Sequence, residues 1–240
     1  MRTETPIADT IAEPAATPGS ARSRKALWGV TFAAMAALLV GAFAYAPEDL
    51  EQGPPQRIFY IHVPSAWVGF LAFFVVFVAS IAFLLTKRRR FDDVAAASAE
   101  VGMVFTSAVL VTGPLWARPI WGTYWSWDPR LTSFLVLWLT YLSYLLLRGY
   151  VPDPARRARF SAVLGIVGFL DVPIVYLSVR WWRALHPEAV VFTEGGPQMP
   201  SQMLATLLLG LAAFTLLYLA LMSLRLRLTR LREAREEAAP

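Results

Sequence analysis

Six long apolar runs, at about 26–46, 61–86, 94–116, 131–148, 161–180 and 201–224, leave this chain few folds to choose from. A helix needs roughly 20 residues to cross a hydrocarbon core about 30 Å thick, and the runs are close to that length. They are continuously apolar, whereas the strands of a membrane barrel alternate in shorter segments. Helices also satisfy every backbone N–H and C=O internally, as a bilayer requires. Only 16% of the chain is charged, against about 25% in soluble domains. The expected fold is an all-α integral membrane protein with six transmembrane helices.

Basic residues orient the bundle. Seventeen of the 22 lysines and arginines fall in the N-terminal tail, the second and fourth loops and the C-terminal tail. The remaining five are Arg57, Arg118, Arg130, Arg180 and Arg183. By the positive-inside rule both termini are cytoplasmic. The net charge of +5 thus reflects a chain built for the lipid bilayer, and no nucleic-acid partner is expected.

Three regions follow. Residues 1–25 are rich in Ala, Thr and Pro and are expected to form a disordered cytoplasmic tail. Residues 26–224 form the membrane domain, with a Trp-rich segment at 116–133, and 225–240 form a basic cytoplasmic tail with a helical start. The first apolar run, ending "AYAP" at Pro47, exceeds the 7–15 residues of a signal peptide, and Pro47 directly after Ala46 suits cleavage poorly. A retained helix is expected. With no cysteine, disulfides, thiol exchange and C-x-x-C-H haem attachment are excluded. No P-loop motif occurs.

Chemistry concentrates in "RPIWGTYWSWDPRLTS" between the third and fourth spans, on the outer side. Trp116, Trp121, Trp125 and Trp127 are four of the chain's nine tryptophans. The spacing of Trp121, Trp125 and Asp128 predicts a short helix with one common face, ended by Pro129. That outer-face amphipathic segment reads two ways. It is an interfacial aromatic belt, or it is a platform for a flat ligand, the reading favoured by the adjoining acid and arginines. Asp128 has three open roles: orienting a tryptophan N–H, capping the short helix, or meeting a partner.

His62 and His186 are the only histidines, and both map to the outer side. His62 is expected at or just before the start of the second helix, with Pro64 in its first turn. Neutral imidazole is a good ligand for haem iron and other transition metals. Beside an aromatic shelf, the pair suggests two axial ligands to a planar macrocycle, although two unrelated interfacial histidines would leave the same pattern. Arg118, Arg130, Arg180 and Arg183 flank the segment, as forks for carboxylates or as interfacial anchors. Asp171 falls mid-span beside Pro173 and must be protonated, paired or turned to a cavity. Glu100 lies near the inner boundary.

"RIFYIHVPSAW", "TGPLWARPIWGTYWSWDPRLTS" and "DVPIVYLSVRWWRALHP" together resemble the WWD-motif haem-handling family of cytochrome c maturation. Within it, the six-span length and paired histidines most resemble the cytochrome c maturation protein C (CcmC) family, from about residue 26 onward. The resemblance implies haem held non-covalently and transiently, of the b type, with His62 and His186 on the metal. It implies further contacts from Trp116, Arg118, Trp121, Gly122, Tyr124, Trp125, Trp127, Asp128 and Arg130. It also implies delivery to a membrane-anchored haem chaperone, with ABC transporter subunits and a small accessory membrane protein as partners. The expected location is the bacterial inner (plasma) membrane, with the site facing the periplasm or cell exterior. Pro129 and Pro187 depart from the family pattern, where Ala and Gln are expected.

The expected function is haem binding and delivery without net bond chemistry, so the chain is not expected to be an enzyme. Two other classes stand beside it. A permease would need polar residues along several spans, and only Asp171 is deep. A bis-His electron-transfer cytochrome would fix both histidines within facing helices.

Overall fold

All six apolar runs are helical in the computed structural model, which describes residues 18–182, 186 and 196–239. Helix α1 (Pro18–Val40) runs into a single π turn at Gly41–Tyr45. A 3-10 turn at Pro54–Ile58 leads into α2 (Phe59–Thr86), and α3 (Arg89–Trp121) returns. α4 (Pro129–Tyr150), α5 (Pro154–Phe169) with α6 (Asp171–Trp181), and α7 (Ser201–Glu237) complete the bundle. Among the described residues, six helical stretches are long and apolar enough to cross a membrane, α5 and α6 counting as one. No strand occurs among the described residues. Six crossings return the chain to the end where it began.

Helix boundaries extend past the apolar runs. α1 starts at Pro18, ahead of the expected 26, and residues 1–17 lie outside the described residues. α7 carries the basic tail as unbroken helix to Glu237. The fifth span is interrupted at Leu170. Pro173 explains the break: it has no N–H to bond the Phe169 carbonyl one turn back, but it is tolerated in the first turn of a new helix.

Two local expectations are corrected. α2 starts at Phe59, so His62 lies in its first turn, at the helix start as expected, but Pro64 falls beyond that turn, inside the helix. The short helix over 121–128 does not form. α3 ends at Trp121, because Gly122 takes a left-handed φ of 74° and closes it with an N–H to the Arg118 carbonyl at 3.1 Å. Such a cap suits glycine, which has no Cβ to clash. Pro129 then starts α4 instead of ending a helix. At the first helical position the absent N–H of proline costs nothing, and its φ is already set.

α2 is the central helix, packed against α3, α5 and α7. Its approach to α3 depends on small residues, as in other membrane bundles. A Cβ on Gly69 would lie 2.6 Å from Thr106, and one on Gly102 would lie 2.8 Å from Ala72. The Ser98 hydroxyl donates to the Ala72 carbonyl at 2.7 Å and meets the Tyr218 hydroxyl at 2.8 Å, joining α3, α2 and α7. On the other side of α2, Phe73 stacks on Tyr141 at 3.5 Å, and the Tyr141 hydroxyl donates to the Gly165 carbonyl at 3.1 Å.

Charge is paired at the end of the bundle that holds the 86–89 and 150–154 turns. Arg148 grips Asp92 through two hydrogen bonds of 2.6 and 2.9 Å. Arg89 pairs with Glu233 at 2.7 Å, and Arg225 with Glu100. These ties bind α3 to α4 and α7. The opposite end collects the start of α2, the end of α3, the start of α4 and the end of α6.

Candidate functional site

At that opposite end, α2 and α3 run antiparallel, so the first turn of one meets the last turns of the other. His62 therefore lies against Thr112, Gly113 and Trp116. Its Nδ1 is 2.9 Å from the Thr112 hydroxyl, and its ring meets Trp116 edge-on at 5.7 Å and 71°. The Trp116 indole N–H donates to Gln52 at 2.9 Å, which ties the preceding loop to the same corner. That loop is itself turned by Asp49, whose Oδ1 accepts the backbone N–H of Glu51 and Gln52.

Trp121 holds the second histidine. Its ring contacts His186 at 6.2 Å and 64°, again edge-on. The two imidazoles thus rest on two tryptophans five residues apart on one helix end. His186 and Arg130 both lie within electrostatic reach of His62. Residues 183–185 and 187–195 lie outside the described residues, so Arg183 and Pro187 are not placed.

Between Trp121 and α4 the chain is irregular but well tied. The Thr123 hydroxyl donates to the Trp125 carbonyl at 3.0 Å. Trp125 and Trp127 meet at 5.7 Å and 77°, with Trp127 mostly exposed. Asp128 ends the segment as the N-cap of α4. Its Oδ1 accepts the backbone N–H groups of Arg130 and Leu131, both at 3.0 Å. This arrangement satisfies two donors that the helix leaves unpaired. Of the three open roles for Asp128, the structure supplies a cap, on α4 instead of a short helix.

The flanking arginines are not equivalent. Arg118 donates to the Gly122 carbonyl and lies 5.6 Å from the Tyr124 ring, so it braces its own turn at the surface. Arg180 is exposed in the last turn of α6. Arg130 is partly buried, near Asp128 and Tyr176. Among the described residues it has no carboxylate within salt-bridge distance. The Trp125 indole N–H and the Thr132 hydroxyl are buried without a hydrogen-bond partner among the described residues.

This set fits a planar, acidic, iron-bearing aromatic cargo. Imidazole is a residue type able to ligate a metal, and tryptophan offers a flat apolar face. The Trp125 indole N–H and the Arg130 guanidinium are donors of the kind that carboxylates accept from. Thr112, Gly113 and Gln52 were not singled out in the sequence as site residues. The first two open the quoted "TGPLW" stretch, and the signal was their helical spacing from Trp116.

Asp171 is remote from this cluster. It begins α6, eleven residues long, which at 1.5 Å per residue places it roughly 16 Å from the Trp181 end of that helix. Its Oδ2 is buried without a hydrogen-bond partner among the described residues.

A bundle of six helices long and apolar enough to cross a membrane, with two histidines set against tryptophans at one end, defines a multi-pass membrane protein. The model of the heme exporter protein C (CcmC) family matches residues 8–239, and the chain belongs to that family. It is 44% identical over 186 residues to heme exporter protein C of Bradyrhizobium diazoefficiens, covering 77% of this chain and 71% of that one. Against heme exporter protein C of Rhodobacter capsulatus the identity is 35% over 201 residues, covering 83% of each. A putative cytochrome c biosynthesis ccmC-like mitochondrial protein of Marchantia polymorpha is 37% identical, covering 70% of this chain and 71% of its own.

Proposed function

We propose that this protein binds haem at the outer membrane face and transfers it to a membrane-anchored haem chaperone during c-type cytochrome biogenesis. The observation that carries the reading is the pairing of His62 with Trp116 and of His186 with Trp121, on one end of α3. The names of the relatives, heme exporter and cytochrome c biosynthesis protein, point the same way. Haem is held non-covalently, as a b-type group, since the chain has no cysteine to attach it. His62 and His186 ligate the iron, and Arg130 with the Trp125 N–H receives the propionates. Trp121, Trp125 and Trp127 offer faces to the macrocycle. The site contacts also include Trp116, Arg118, Gly122 and Tyr124, while Asp128 sets the start of α4.

The chain performs no net bond chemistry on haem. It works beside ABC transporter subunits and a small accessory membrane protein, in the bacterial inner membrane with both termini in the cytoplasm. The positive-inside count supports that orientation.

The test is the absorbance spectrum of the purified protein, oxidised and reduced, beside His62→Ala and His186→Ala. A low-spin signal that weakens in both variants is expected. An unchanged spectrum in both, or no haem taken up by the unaltered protein, would overturn the assignment and bring the permease reading forward. Stoichiometric haem that cycles with quinol and never leaves would favour an electron-transfer cytochrome.

A further inference from the structure

The contact between His62 and Thr112 fixes more than the position of the ring. The Thr112 hydroxyl is 2.9 Å from His62 Nδ1 and 2.7 Å from the Ala108 carbonyl one turn back. A hydroxyl has one proton to donate, and a carbonyl oxygen can only accept. In a helix, a threonine hydroxyl commonly gives that proton to the i−4 carbonyl. The shorter contact here is that bond. What Thr112 then presents to His62 is a lone pair. A neutral imidazole facing a lone pair must carry its proton on Nδ1, leaving Nε2 bare.

The ring has little freedom to escape this arrangement. A Cβ on Gly113 would stand 3.2 Å from His62 Cε1, so the imidazole edge sits where glycine leaves room. Trp116 meets the ring edge-on at 5.7 Å. Three residues within five positions of α3 thus hold the ring by a hydrogen bond, a gap and an aromatic wall.

We propose that Thr112 is a positioning residue that sets the tautomer of His62, making Nε2 the nitrogen offered to iron. The inference rests on the haem reading above. A hydrogen bond at the far nitrogen also raises the basicity of a ligating imidazole, and losing such a partner commonly weakens metal binding about 10–100-fold.

The test compares the full-length protein with Thr112→Val, which keeps the shape and removes the hydroxyl, and Thr112→Ser, which restores it. The first readout uses haem-free protein at fixed pH, with histidine labelled by nitrogen-15 in a His186→Gln background. His62 is then the only histidine, and nitrogen chemical shifts report which ring nitrogen bears the proton. The Nδ1–H form is expected to dominate with Thr112 or Ser, and to give way to a mixture with Val. The second readout, in the His186-containing protein, is the rate at which apomyoglobin strips bound haem. Val is expected to lose haem about tenfold faster or more, with Ser near the unaltered rate.

An Nε2–H form in the Thr112 protein, or an unchanged tautomer in Val, would overturn the inference while leaving the haem reading intact. An Nδ1–H form that depends on Thr112, in a protein whose haem spectrum ignores His62→Ala, would overturn the haem reading and with it the ligand role given to Nε2.

Discussion

The Ser126 hydroxyl donates to Oδ2 of Asp128 at 2.8 Å, while Oδ1 of the same carboxylate takes two backbone N–H groups of α4. Both oxygens of the acid are committed to their own chain. The acid of the tryptophan-rich segment is therefore an anchor that fixes where the irregular link stops and the fourth span starts.

Asp128→Ala is expected to destabilise the folded protein by about 1 kcal/mol, the usual value of an N-cap. Asp128→Asn should keep most of that stability, since asparagine caps as well as aspartate. Thermal unfolding in detergent, followed by tryptophan fluorescence, checks both. An alanine variant that melts with the parent would remove the cap from the account.

Trp125→Phe separates the indole N–H from the aromatic face. If that N–H meets a propionate, the variant loses one hydrogen bond to a charged group, worth about 1.5–3 kcal/mol, and haem affinity should fall at least about tenfold. The Soret position should stay, because both imidazoles remain. Titration with haem in detergent measures the affinity, and an unchanged value would show that the N–H faces no propionate.

At the far end, Arg148 and Asp92 are largely buried, with 17% and 12% of their side chains exposed. Removing one partner of such a pair leaves a buried charge uncompensated and costs about 3–5 kcal/mol. Arg148→Met should therefore lower the melting temperature sharply, and Asp92→Leu added to it should recover part of the loss. Haem spectra should survive both changes in whatever protein remains folded. No recovery in the double variant would mean that the pair does more than neutralise itself.

The six spans were legible because a bilayer core imposes length and continuous apolarity, and both survive in any single sequence. The tryptophan segment was legible as chemistry but not as conformation. Its i, i+4, i+7 spacing matched a helix face, yet Gly122 and Pro129 decided the backbone: one favours a left-handed stop, the other a fresh start. Periodicity described the side chains, and two residues with unusual φ preferences overrode it.

His62 and Trp116 lie 54 positions apart, and only the antiparallel return of α3 along α2 joins them. Nothing in their local sequence specifies that register. It is set by buried glycines such as Gly69 and Gly102, whose partners lie on the opposite helix. The ranking of the arginines was hidden for the same reason. Arg118 and Arg130 look alike in the sequence, but one folds onto its own turn and the other is tucked near His62.

The last helix has a practical use. At 37 residues α7 is about 55 Å long, well beyond the roughly 30 Å of hydrocarbon it has to cross. About 25 Å must project past the lipid as a stiff strut, braced near its root by Arg225 with Glu100 and further out by Arg89 with Glu233. A fluorescent domain joined without a spacer after Glu237 would turn with the bundle instead of swivelling freely, so its polarisation would report tilting of the whole molecule.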